Sequence, residues 1–168
     1  MQLNVSNLNA LIVLIIVFII TLLISIIFDK NSKAVKYQKN SIKHMINNYP
    51  EASIDDFLDC FDFTENEKKS ARKLLDFLAN LLSVSSKKIA IDVSMLHLFG
   101  YIDSISGELS IPFAEDIVDG LFKITDKKKW IDKWDKTQNL PKNEVELEEF
   151  IMAMNLKDFL IFFVPLMR

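Results

Sequence analysis

Residues 10–28, ALIVLIIVFIITLLISIIF, carry no charged side chain, and Thr21 and Ser25 are their only polar members. Wound as an α-helix rising about 1.5 Å per residue, this run reaches about 28 Å, close to the roughly 30 Å of a bilayer's hydrocarbon core. Every Asp, Glu, Lys and Arg of the chain lies after it. The run therefore reads as a transmembrane helix, and whatever else folds must fold behind it.

A secretory signal would need a basic n-region, an apolar core of about 7–15 residues and a small-x-small cleavage site. The leader MQLNVSNLN has no Lys or Arg, the apolar run is longer, and Ile26-Ile27-Phe28-Asp29-Lys30 supplies no such site. An uncleaved anchor is the expectation. Lysine and arginine near a transmembrane helix stay on the cytoplasmic side. Here Lys30, Lys33, Lys36, Lys39 and Lys43 all follow the run. The spacing predicts a single-pass inner-membrane protein, N-terminus outside, with this lysine collar against anionic headgroups.

The chain then divides into a short extracytoplasmic N-terminus (1–9), the anchor (10–28), a basic juxtamembrane segment (29–44) and an acidic domain (45–168). Residues 29–44 set five lysines against Asp29 alone, a net of +4, whereas 45–168 hold 15 basic and 22 acidic residues, a net of −7. An acidic domain is repelled by nucleic acid, so no DNA or RNA partner is expected. Single Cys60 permits no internal disulfide. Among Phe57, Phe61 and Phe63 it reads as a buried apolar thiol.

Only three glycines occur, Gly100, Gly107 and Gly120, which favours helices with short connections. The fold class is all-α, a domain of about six helices with one hairpin-like loop. Ile42, Met45, Ile46 and Tyr49 recur at i, i+3, i+4, i+7 before Pro50. Ser53 and Asp56 resemble a capping pair ahead of an Ile54, Phe57, Leu58, Phe61 stripe. Thr64 and Glu67 form a capping box for a helix to Leu82, its inner face Ala71, Leu74, Leu75, Leu78, Leu81 and Leu82. Asp92 is placed to cap a short helix closed by Gly100, and Tyr101-Ile102 and Leu109–Ile111 flank a Ser/Gly turn. Pro112 suits the first turn of a helix to Ile124. Trp130, Ile131 and Trp134 share one side of a lysine-rich helix. Asn143 and Glu146 read as a further cap pair, before Val145, Leu147, Phe150, Ile151 and Met154 on an inner face. The Phe-rich tail 156–167 is too short to span a bilayer and reads as core more readily than as membrane interface.

The chemistry-bearing patterns are few. Asp55, Asp56, Asp59 and Asp62 crowd the polar side of one helix, which suits a protein partner with a basic surface. Carboxylates along a helix face diverge, so no metal is expected there. Counting Gly107 as the sixth position of a calcium loop puts Ile102 first and Phe113 twelfth, and the pattern fails at both ends. His44 and His97 are far apart in sequence, and no partner base stands at a recognisable spacing from Cys60. No catalytic residue and no cofactor site is assigned.

Around residues 75–105 the order of features resembles an acyl carrier protein: Leu82-Ser83-Val84, a lysine-marked turn to Ile89, Leu96, Phe99-Gly100, then Asp103-Ser104-Ile105. The resemblance implies a phosphopantetheine arm on Ser104 and a helix beginning there. Taken by itself, the same stretch reads as a polar turn. The favoured function is non-enzymatic, a membrane-tethered module of the adaptor or toxin-immunity type that binds a protein. The alternatives are a carrier modified at Ser104, or an enzyme whose site the sequence does not display.

Overall fold

A computed structural model describes residues 5–103, 106–126, 129–130, 141 and 144–167, with backbone alone at 5–15, 23, 26 and 144. The chain divides into two units, Met1–Tyr37 and Gln38–Arg168. Among the described residues it is mostly helical, with seven α-helices, the long N-terminal one included, where one N-terminal helix and a domain of about six were expected.

Helix α1, Val5–Asn47, runs without a break at Asn31-Ser32. Within the first unit every described side chain from Ile16 onward is exposed. The Thr21 hydroxyl donates to the Val17 carbonyl at 2.8 Å, which satisfies one of the run's two polar groups within the helix. Among the described residues no helix is long and apolar enough to cross a membrane. Within residues 10–28 the described side chains are those of 16–22, 24, 25, 27 and 28.

The second unit is built on α3, Glu65–Leu82. Thr64 Oγ1 accepts from the Glu67 amide at 3.3 Å while the Thr64 amide donates to Glu67 Oε2 at 2.9 Å, so the capping box is complete. Ala71, Leu74, Leu75, Leu78, Ala79 and Leu82 are buried on one face. The helix ends where Ser83 adopts φ +53°, with the Val84 amide on the Ala79 carbonyl and the Ser83 amide on that of Asn80. That is the Schellman pattern, with serine where glycine is usual. Helix α2, Ile54–Asp59, packs against α3 through buried Leu58, and Phe61 is buried just beyond it. Ser53 Oγ accepts from the Asp56 amide at 3.2 Å, as the cap reading required.

The end of α1 is part of this core. Ile42 and Ile46 are buried, and Lys39 donates to Asp116 Oδ2 at 2.5 Å with its ammonium 5.0 Å from the Phe113 ring centroid. A 3-10 turn at Ser86–Lys88 leads to α4, Met95–Phe99. Its cap is Ser94, whose Oγ accepts from the His97 amide at 3.0 Å. Asp92 was expected in that role, but it stands two residues too early for the first turn. The loop is also held at this point by Met95 N on the Met154 carbonyl and Leu156 N on that of Val93.

Strands β1, Tyr101–Ile102, and β2, Leu109–Ser110, pair antiparallel in the register Tyr101↔Ser110 and Ile102↔Leu109. Asp103 closes the turn, its Oδ1 accepting from Ser106 N at 2.8 Å and its carbonyl from Gly107 N at 2.9 Å. Gly107 has φ +71°, open to glycine at little cost. Where the carrier resemblance implies a helix, the described residues 106–110 form a turn and a strand.

Helix α5, Ala114–Ile124, buries Ile117, Val118 and Leu121. Beyond it Thr125 is fully buried, and its Oγ1 accepts from Trp130 Nε1 at 2.6 Å and donates to the Leu121 carbonyl at 2.5 Å. Helices α6, Glu144–Met152, and α7, Leu156–Phe163, close the unit with a 3-10 turn at Val164–Leu166. Phe159, Leu160, Phe163, Val164, Leu166 and Met167 are all buried. The Phe-rich tail is therefore core. Trp130 is buried against Phe163, ring centroids 5.4 Å apart. Trp134, Asn143 and Ser104 lie outside the described residues.

Two side chains differ from expectation. Val145 is exposed, not inward. It stands two residues before buried Leu147, about 200° round the helix from it. Cys60 is exposed rather than buried. It caps the end of α2 outside the Leu58/Phe61 stripe, and its thiol points to the Asp56 carbonyl at 3.4 Å.

Candidate functional site

Two features of the second unit offer something to bind. The first is the acidic side of α2. A six-residue helix capped by Ser53 buries Leu58 and leaves Asp55, Asp56 and Asp59 outward, with Asp62 exposed just after it. The row is not all free charge. Arg72 pairs with Asp55, and Lys68 donates to Asp59 Oδ1 at 2.6 Å, so α3 neutralises two of the four. The hydrogen bond to Asp59 is the main cause that raises the Lys68 ammonium above its ordinary value. Among the described residues no ion pair involves Asp56 or Asp62. Beside the row, Glu51, Ser53, Asp55, Arg72 and Lys87 line a polar hollow of about 510 Å³. Among the described residues no group of three His, Cys, Asp or Glu comes together as a metal site.

The five collar lysines fall into two sets. Lys30, Lys33 and Lys36 are exposed, Lys33 with a 2.6 Å contact to Asp29 one turn earlier. Lys39 is tied to Asp116, and Lys43 donates to Ser83 Oγ at 3.1 Å. The last two therefore act within the folded unit as helix-to-domain ties.

The second feature is a groove of about 610 Å³ between the last turns of α1, the start of α4 and the hairpin. It is lined by Ile42 and Met45 from α1, by Leu96 and Gly100 from α4 and its C-cap, and by Tyr101, Ile102 and Leu109 from the hairpin. Gly100 is required there. A Cβ on it would meet the Leu96 carbonyl oxygen at 2.4 Å. The members with polar side-chain atoms are Ser41, Ser94, His97 and Tyr101. The His97 ring stacks on that of Tyr49 at a centroid distance of 5.9 Å, and its Nε2 meets the Tyr49 hydroxyl. Burial pushes the Tyr49 phenol above its ordinary value. His44 lies elsewhere on the helix, its Nδ1 3.5 Å from the Asn48 amide.

Sequence reasoning placed His97 only as an isolated side chain, because the groove needs three segments far apart in the chain. The available signal was Ile102 and Leu109, two apolar residues facing each other across a hairpin too small to bury them. No family model matches this chain, and no curated protein or solved structure matches it either.

Proposed function

We propose that this chain is a single-pass inner-membrane protein whose cytoplasmic helical domain captures a protein partner with a basic surface. Residues 1–9 lie outside, residues 10–28 cross the bilayer, and the acidic face of α2 is the capture surface. The observation that carries the reading is the uncovered apolar run of α1: Val17, Phe18, Ile27 and Phe28 are 56%, 66%, 57% and 71% exposed. Large apolar side chains exposed in this number mark a membrane or partner contact. Water penalises it by about 25 cal/mol per Å², a cost that hydrocarbon removes. Lys30, Lys33 and Lys36 follow it at headgroup level, each contributing on the order of 1 kcal/mol next to anionic lipid.

Capture through α2 is supported by its geometry. Asp55, Asp56 and Asp59 project from a helix whose packing is carried by the opposite side, and Asp62 is exposed just beyond it, so all four are available without disturbing the core. Asp56 and Asp62, outside the ion pairs with α3, supply the free charge, and Asp55 and Asp59 exchange Arg72 and Lys68 for the partner's cations. The role is that of an adaptor or a toxin-neutralising immunity protein.

The test is capture of the partner by full-length chain carrying Asp56→Lys and Asp62→Lys. The internal pairs survive in this variant, so the fold is kept. Association should slow strongly at low salt, and the difference should shrink near 0.5 M, where the Debye length is about 4 Å. Capture undiminished at low salt would remove α2 from the interface.

A further inference from the structure

We infer that the groove between α1, α4 and the hairpin binds a single long apolar chain with a small hydrogen-bonding head, a fatty acid, with the head at Ser94 and His97. The inference does not rest on partner capture through α2.

Its volume, about 610 Å³, falls in the roughly 300–1,000 Å³ range of small-molecule sites, which are mostly apolar with a few placed polar groups. Its walls fit that description. Ile42, Met45, Leu96, Ile102 and Leu109 supply the apolar surface, and none of the lining residues is Asp, Glu, Lys or Arg. Ser41 on α1 and Tyr101 on β1 each bring one hydroxyl, and the two polar side chains of α4 stand next to each other. Ser94, the N-cap of α4, and His97 in its first turn are joined by the 3.0 Å bond from the His97 amide to Ser94 Oγ. The Tyr49 hydroxyl meets the same imidazole. The Ser94 hydroxyl proton and the His97 ring are thus placed to hold a carboxyl head while the chain runs along Met45 and Ile42.

The lip selects for a chain rather than a peptide. Ile102 and Leu109, opposite each other in the register, are 68% and 51% exposed. A hairpin of two residues per strand is marginal on its own, and an occupant lying across this pair would cover it. A peptide lying there would bury amide groups against walls with few polar partners, which is costly when they go unpaired. An acyl chain carries no such groups.

The test uses the full chain in phosphatidylcholine/phosphatidylglycerol vesicles with a photoactivatable palmitic acid, and maps the adducts by mass spectrometry of peptides. Adducts are expected on the 41–45 and 94–109 segments, reduced several-fold by a tenfold excess of plain palmitic acid. The variant Ile102→Glu, Leu109→Glu changes exposed positions only, and should lower groove labelling several-fold with an unchanged circular dichroism spectrum. Adducts on residues 10–28 report bilayer insertion separately, so groove labelling without them would count against the anchor and not the groove. Labelling confined to residues 10–28 would overturn the inference and leave the lip to a protein partner. Groove adducts indifferent to competitor and to the double variant would overturn it equally.

Discussion

The Phe77 ring of α3 lies so close over Gly120 of α5 that a Cβ on the glycine would come within 2.2 Å of its Cε2 and Cζ. The missing side chain is what lets these two helices approach. In a helix interior glycine ordinarily costs about 0.5–1 kcal/mol relative to alanine. Here that cost is outweighed by the contact it permits. Gly120→Ala should therefore destabilise the domain by roughly 1–3 kcal/mol, the usual penalty of overpacking. In a Phe77→Leu background the same change should cost less or stabilise. A double-mutant cycle by denaturant unfolding measures this directly. Additive effects would mean the ring moves aside freely.

The left-handed residue that ends α3 offers the opposite kind of change. Ser83 holds φ +53° and ψ +43°, a conformation that costs an L-residue roughly 1–2 kcal/mol. Ser83→Gly should raise stability by about 1 kcal/mol, less the small loss of the exposed hydrogen bond from Lys43. Thermal unfolding of the full chain checks it, and a lower melting temperature would contradict the strain assigned to this cap.

Stability should fall at both ends of the pH scale, for identifiable reasons. The hydroxyl and amide of Thr64 both bond the Glu67 carboxylate and hold it below its ordinary value. A depressed value means the contribution is present above the unfolded pKa of about 4.3 and is lost as pH falls through the folded one. Lys68 and Tyr49 are raised, by the bond to Asp59 and by burial. Their contributions are present below the unfolded values near 10 and are lost as pH rises through the folded ones. Melting temperature against pH should flatten on the acid side in Glu67→Gln and on the alkaline side in Tyr49→Phe. Unchanged profiles would sink both assignments.

Much of the helical unit was legible because its signals are local. Thr64 with Glu67, Ser53 with its third following amide, and the Leu74/Leu75/Leu78/Leu82 stripe each lie within one or two turns. Tyr101-Ile102 and Leu109-Ser110 pair across a turn of few residues. What escaped depends on distance along the chain. Asp55 meets Arg72, and Lys39 meets Asp116, 77 residues away, so neither the true charge of the acidic row nor the inner role of the last lysines was readable from spacing. Cys60 and Ser94 turned on choices of one or two residues at element ends, where a helix starts or stops slightly away from its apolar pattern. The groove needed all three of its walls.

The most direct measurement is the accessibility of Cys60, the single cysteine of the chain and exposed on the folded domain. Spheroplasts carrying the full chain are treated with a membrane-impermeant maleimide of large mass, with and without permeabilisation. If residues 10–28 span the inner membrane with the domain in the cytoplasm, the chain should stay in the alkali-washed membrane pellet. Its thiol should be protected in intact spheroplasts and shifted in mass after lysis. A thiol modified in intact spheroplasts, or a chain released by the alkaline wash, would contradict the account.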